Sequence, residues 1–233
     1  MPVDSGRWFN TDFCSAPLLV LFGVGCLGWV VAYVAIVRNA VRNRFLEIPA
    51  GAVVANIAWE FVWGFLFPNE LGRFFSWGYR AWFFFDLAIV WCLFKWGAKQ
   101  ADTPELAAVF RPACVFGIAA WALGVYFFVQ GGYDTGYGAV SGYILNTMMS
   151  ALYCVIILRH GRLYDFSLLV AWSKMLGTAL LTVFNFVVKP DYHYLLSLCL
   201  ATLVLDLVYI ALFYAIRTGR AAGLVAAVRR QEA

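Results

Sequence analysis

An all-α integral membrane protein, one bundle of seven transmembrane helices spanning residues 1–233 as a single domain, is the fold class this sequence predicts, and three observations predict it. Hydrophobic residues make up 64% of the chain and charged residues only 13%, about half the charged share of an ordinary soluble domain. The long hydrophobic runs are apolar all round, without the polar stripe of a helix on a soluble core. Lysine and arginine are concentrated in every second connection between the runs.

Hydropathy, punctuated by flanking charges, places the helices at about 17–37, 49–67, 80–97, 112–129, 137–158, 166–188 and 194–216. The first is expected to be the targeting element, because Asp4, Arg7, Asn10 and Asp12 ahead of it do not form the basic, apolar, small-residue pattern of a cleaved signal peptide. The second opens at Pro49 and the fourth at Pro112, since a first helical turn tolerates proline. The third runs between Arg80 and the basic stretch around Lys95 and Lys99, and Gly131, Gly132, Gly136 and Gly138 mark the loop before the fifth. Lys189 sits in the loop between the sixth and seventh, and no linker is long enough to hold a second domain.

One side of this arrangement carries four basic residues: Arg7, Arg73, Arg80 and Lys189. The other carries twelve: Arg38, Arg42, Arg44, Lys95, Lys99, Arg111, Arg159, Arg162, Arg217, Arg220, Arg229 and Arg230. The positive-inside rule therefore puts the N-terminus outside and the C-terminus in the cytoplasm, in keeping with an odd helix number. The net charge of +4 speaks of topology, and no nucleic-acid partner is expected. The six cysteines are scattered without metal-ligand or redox spacing, and His160 and His193 lie at helix ends, so neither metal nor cofactor is expected.

Glu60 and Asp206 each interrupt an apolar run, and an ionisable group at mid-membrane costs about 2.5–3.5 kcal/mol, which marks a site unless a partner explains it. At about 1.5 Å of rise per residue, Glu60 lies roughly 16 Å from the cytoplasmic end of its helix and Asp206 roughly 18 Å from the outer end of its own, so in a core of about 30 Å their depths differ by only a few Å. Desolvated among Trp59, Phe61 and Trp63, with no cation at i±3 or i±4, Glu60 is expected to stay protonated as a general acid must. Asp206 has one candidate ion-pair partner, Lys174, and a carboxylate so paired would be an electrostatic stabiliser. Asn56 shares the face of Glu60 and either hydrogen-bonds it or a ligand or holds helices together, and Asn146 and Asn185 carry the same ambiguity. Asp86, four residues after Trp82, is placed near the outer mouth of a chamber, and Tyr209 shares the face of Asp206. Ten Trp, twelve Tyr and twenty-one Phe exceed what interfacial belts absorb, and Trp59, Trp63, Phe84, Phe85, Trp91, Trp121 and Trp172 are candidates to line that chamber.

The segment NIAWEFVWGF, the Arg80, Trp82 and Asp86 pattern in RAWFFFDLAIV, and the late LDLVYIALFY resemble the seven-helix integral-membrane terpene cyclases of fungal meroterpenoid and indole-diterpene pathways and bacterial indole-terpenoid pathways. The resemblance implies a metal-independent cyclase of isomerase or lyase type. It would protonate an epoxide or alkene on the linear prenyl chain of a prenylated aromatic substrate. Glu60 and Asp206 correspond to the family's acid pair, with Asn56, Trp59, Trp63, Trp82, Asp86 and Tyr209 around the substrate. A lipophilic substrate delivered through the bilayer would come from an upstream prenyltransferase or epoxidase. The chain has no Asp-Asp dipeptide, so the Asp-Asp-x-x-Asp cluster that ionises a diphosphate and the Asp-x-Asp-Asp motif of soluble protonating cyclases are both missing. The Ala/Val-rich tail favours a bacterial plasma membrane over a fungal endoplasmic reticulum.

The main rival is a proton-coupled transporter with Glu60 and Asp206 as a proton relay, although no repeat relates the two halves. A retinal photoreceptor would need a lysine in the last helix, which has none. An assembly subunit is the third alternative.

Overall fold

A computed structural model of the protein describes residues 6–101, 103–160, 163–221 and 223. Asp4, Arg162, Arg229 and Arg230, used in the reading of signal and charge, lie outside the described residues. The architecture is helical: α1 Ala16–Asn43, α2 Ala50–Phe61, α3 Arg73–Trp96, α4 Pro104–Gln130, α5 Ala139–His160, α6 Leu168–Val188 and α7 His193–Arg217. Six of these are long and apolar enough to cross a membrane. The remaining one, α2, continues through a wider π-helical turn at Val62–Leu66, giving a shorter apolar helix over Ala50–Leu66.

Two starts differ from expectation. Helix α3 begins at Arg73 rather than residue 80, so Arg80, expected at its edge, lies two turns inside it. The Arg80 guanidinium is accommodated by donating to the Gly64 carbonyl at 2.7 Å and lying over the Trp77 and Phe65 rings. Helix α4 begins at Pro104, with Thr103 accepting the Leu106 N–H, and Pro112 lies inside it instead of opening it. The charged residues Glu105 and Arg111 read as loop, yet they sit on a helical extension beyond the apolar run.

Helix α2 is the axis of the molecule. Every residue from Ala52 to Glu60 is buried, and α2 packs against α3, α4 and α5. Enclosure on all sides explains how an apolar helix shorter than its neighbours holds its place. Helix α1 lies along α6, and α7 along α5 and α6. The α1–α6 contact is close because Gly28 and Gly177 meet there: a Cβ on Gly28 would stand 2.9 Å from the Ser173 carbonyl oxygen and 3.0 Å from the Gly177 Cα. Small residues that let backbones approach are the usual means of packing helices in lipid, where lipid tails remove the hydrophobic drive between them. Helix α4 is peripheral, with only Cys114 and Val125 buried.

Candidate active site

Three helices bring polar side chains to one point beside α2. From α2, the Asn56 amide donates to Glu60 Oε1 at 3.0 Å and to Asp86 Oδ2 of α3 at 2.8 Å, and it also contacts the Tyr33 hydroxyl of α1. The Tyr33 hydroxyl donates to Glu60 Oε1 at 3.1 Å. The Asn56 amide thus bridges the Glu60 and Asp86 carboxyls, and no donor meets Glu60 Oε2. Both are 1% exposed, and no ion pair among the described residues reaches either. Glu60 is therefore not the lone acid the sequence suggested.

Asp86 was placed near a helix end because α3 was expected to start at 80. Counted from Arg73 it is thirteen residues in, about 20 Å along the axis, which is mid-span.

A cavity of about 100 Å³ adjoins this cluster. Glu60, Asn56, Trp59 and Trp82 line it, together with Trp29, Tyr33, Tyr79, Tyr137, Tyr143, Asn146 and Asn185, among others. Tyr79 stacks on Trp82 with ring centres 5.6 Å apart and meets Trp59 at 5.1 Å, forming one continuous aromatic wall. The phenol oxygens are committed to protein partners: Tyr79 donates to the Tyr137 carbonyl at 2.8 Å, Tyr137 to Asn185 Oδ1 at 2.9 Å, and Tyr143 to the Thr178 carbonyl at 3.2 Å. Ring faces are what remain for an occupant. Asn146 donates to Thr178 Oγ1 at 3.1 Å while its own Oδ1 is buried without a donor.

The wall is fixed from the α4–α5 loop. Asp134 accepts from the Val140 N–H at 2.8 Å at the start of α5 and from the Ser141 hydroxyl, and Ser141 Oγ accepts the Trp59 indole N–H at 2.7 Å. Gly138, at φ +78°, completes this corner, since a Cβ there would come within 2.7 Å of Trp59 and 2.8 Å of Trp63.

Asp206 and Tyr209 do not line this cavity, nor do Trp63 and Asp86. Asp206 Oδ1 accepts from Lys174 Nζ at 2.6 Å, so the aspartate is ion-paired. Tyr209 packs on Tyr153 with ring centres 5.1 Å apart. Of the other aromatic candidates, Phe84, Phe85, Trp91 and Trp172 face outward, as an interfacial or lipid-facing aromatic does. Trp121 lines a separate hollow between α4 and α5. Among the described residues no group of three or more His, Cys, Asp or Glu gathers as metal ligands, and the six cysteines are free thiols.

The family of this helical bundle with acids and an aromatic hollow at its centre follows from comparison. Residues 17–219 match the Pyr4-like transmembrane terpene cyclases, and the chain belongs to that family. It is an integral membrane protein. Among individual relatives, the Pyr4-family terpene cyclase mfmH of Annulohypoxylon moriforme is 34% identical over 82 residues, 35% of this chain and 33% of that protein. Terpene cyclase cle7 of Aspergillus versicolor is 29% identical over 133 residues, 49% of this chain and 54% of the relative. Terpene cyclase atmB of Aspergillus flavus is 30% identical over 84 residues, 34% and 32% respectively. The matches thus span about a third to a half of these curated relatives. All three are fungal, which lends no support to the bacterial origin suggested by the tail. No solved structure matches the chain.

Proposed function

We propose that this protein is a membrane-bound terpene cyclase that closes the linear prenyl chain of a lipophilic prenylated aromatic by protonating a terminal epoxide or alkene. The observation that carries the reading is Glu60: a buried carboxyl without a cationic partner, on the wall of an aromatic-lined cavity, in a chain of the terpene cyclase family. Of the two acids singled out in the sequence, Glu60 alone touches the cavity, so proton donation is assigned to it. Asp86 is the neighbouring carboxyl, joined to Glu60 through the Asn56 amide that donates to both. Tyr33 and Asn56 fix Glu60 Oε1 and leave Oε2 as the atom that delivers the proton.

Protonation creates a carbocation, and the faces of Trp59, Tyr79 and Trp82 stabilise it through the ring quadrupole. Keeping water out prevents capture as an alcohol. Asn146 Oδ1 is the acceptor offered to a hydroxyl on the substrate's head group. The final proton loss gives an isomer of the substrate, which places the reaction among isomerases or lyases, and the roles assigned use no metal. The topology proposed is seven crossings, N-terminus outside and C-terminus cytoplasmic, with Ala50–Leu66 as the second crossing. A prenyltransferase or epoxidase would act upstream.

The test is to incubate membranes containing the protein with epoxidised and plain prenyl aromatics and to look for a product of unchanged mass and altered retention. Glu60→Gln, which keeps the shape and removes the acid, should lower turnover about 10²- to 10⁴-fold, the range of a positioned general acid. Cyclisation at the wild-type rate by that variant would refute the assignment, and flux of substrate into vesicles without product would indicate transport.

A further inference from the structure

Between Asp206 and the cavity stand two other side chains. Lys174 Nζ donates to Asp206 Oδ1 and to Ser150 Oγ, both at 2.6 Å, and the side chains of the ion pair are 4–5% exposed. The same ammonium lies 5.2 Å from the centre of the Trp29 ring, and Trp29 lines the cavity. The order from α7 inward is carboxylate, ammonium, indole, hollow.

We infer that Asp206 is a positioning residue acting through Lys174: its carboxylate cancels the charge of a buried ammonium seated against Trp29, so that the indole remains able to stabilise positive charge on the substrate. The inference rests on the cyclase reading above and names what sets the electrostatics of that same cavity. An ammonium on the indole draws on the same π density that a carbocation in the cavity would use. Without its counter-ion it would also repel that cation across a medium that screens charge poorly. Paired, lysine and aspartate are electroneutral, and Ser150 supplies a further hydrogen bond that a buried pair needs. The other titratable groups beside the pair are Tyr153 and Cys154 of α5 and Tyr209 of α7, all ordinarily neutral, so no second anion among them can replace Asp206. Asp206 thereby has a role in the reaction without a proton to donate.

The test compares Asp206→Asn with the double variant Lys174→Gln/Asp206→Asn, reading thermal midpoint in detergent and turnover per folded protein. Asp206→Asn strands the ammonium and should lower the midpoint and reduce turnover at least tenfold. The double variant removes both charges and should recover the midpoint and raise turnover at least tenfold over Asp206→Asn, with the wild-type pH profile, because the proton donor is untouched. A double variant that folds like wild type yet is as inactive as Asp206→Asn would overturn the inference, since the carboxylate itself would then be required. Wild-type turnover in Asp206→Asn would overturn it too. Lys174→Met/Asp206→Leu is read in the same way should the first pair fail to fold, and failure of both pairs to restore turnover is a negative result. The midpoints report on the ion pair whether or not a substrate is turned over, and an active Glu60→Gln would refute the acid assignment while leaving the rescue pattern standing.

Discussion

At the scale of single residues, the carboxyls were legible and their surroundings only in part: Asn56 beside Glu60 and Lys174 beside Asp206 could be read, the rest could not. Glu60, Asp86 and Asp206 stand out because a charge in an apolar run is costly, whatever the packing around it. Tyr33, which donates to Glu60, gives no such signal: tyrosine is ordinary in membrane helices, and only the packing of α1 against α3 and α6 brings its hydroxyl within reach of α2. Depth along the helices offered Lys174 as the partner of Asp206, but it does not reveal that the aspartate stands away from the cavity, because orientation about the α7 axis is set by α5 and α6. Outward-facing Phe84 and Trp91 and inward-facing Trp59 are likewise the same residue types in the same kind of run. Asn146 separates two roles that sequence left open, since its amide nitrogen joins α5 to α6 while its oxygen is unpartnered in the cavity wall. Asn146→Leu is expected to raise KM for a substrate bearing a head-group hydroxyl about tenfold with a smaller change in kcat, and to leave a substrate without the hydroxyl unaffected, as steady-state kinetics on the two would show.

At the scale of helices, hydropathy found every element, and errors gathered where charge and helix coincide. Arg80 and Arg111 read as loop residues but lie on α3 and α4, because long arginine side chains reach carbonyls and rings along the helix surface. The π-helical turn after Glu60 has no sequence signature; it lies beside the candidate site, as such turns often do, and the Gly64 carbonyl within it accepts from Arg80. Close packing of α1 on α6 carries its own expectation. Gly28→Ala pushes a Cβ against backbone and should destabilise by about 1–3 kcal/mol, whereas Gly23→Ala on the same helix meets open space and should be neutral or gain up to about 1 kcal/mol in helix propensity. Thermal midpoints of the two variants in detergent check the contrast.

For the molecule as a whole, the sequence made plain a helical membrane protein with acids at mid-depth, while the closure of the bundle depends on contacts far apart in the chain. Glu47 is one of them. It lies in the loop between α1 and α2, is 1% exposed, and accepts the Ser167 N–H at 2.7 Å and the Asn39 amide at 3.1 Å, joining that loop to the start of α6. Burial pushes its carboxyl up to about 8, against the opposing help of those two donors. Its ordinary value is 4.5, so between pH 4.5 and about 8 the unfolded chain has released a proton that the folded one retains. Stability from this group is therefore greatest below that window and falls as pH rises through it. Glu47→Gln should flatten the fall, which a series of thermal midpoints from pH 5 to 8.5 would reveal.

The central claim is that the reacting end of a prenyl chain meets Glu60 inside the aromatic cavity. A structure of the Glu60→Gln variant with a prenyl aromatic bound measures this most directly. The expected result is the terminal epoxide or alkene within about 3.5 Å of the side chain at position 60, against the faces of Trp59, Tyr79 and Trp82. A reacting terminus seated beside Asp206, or outside the cavity altogether, would contradict it.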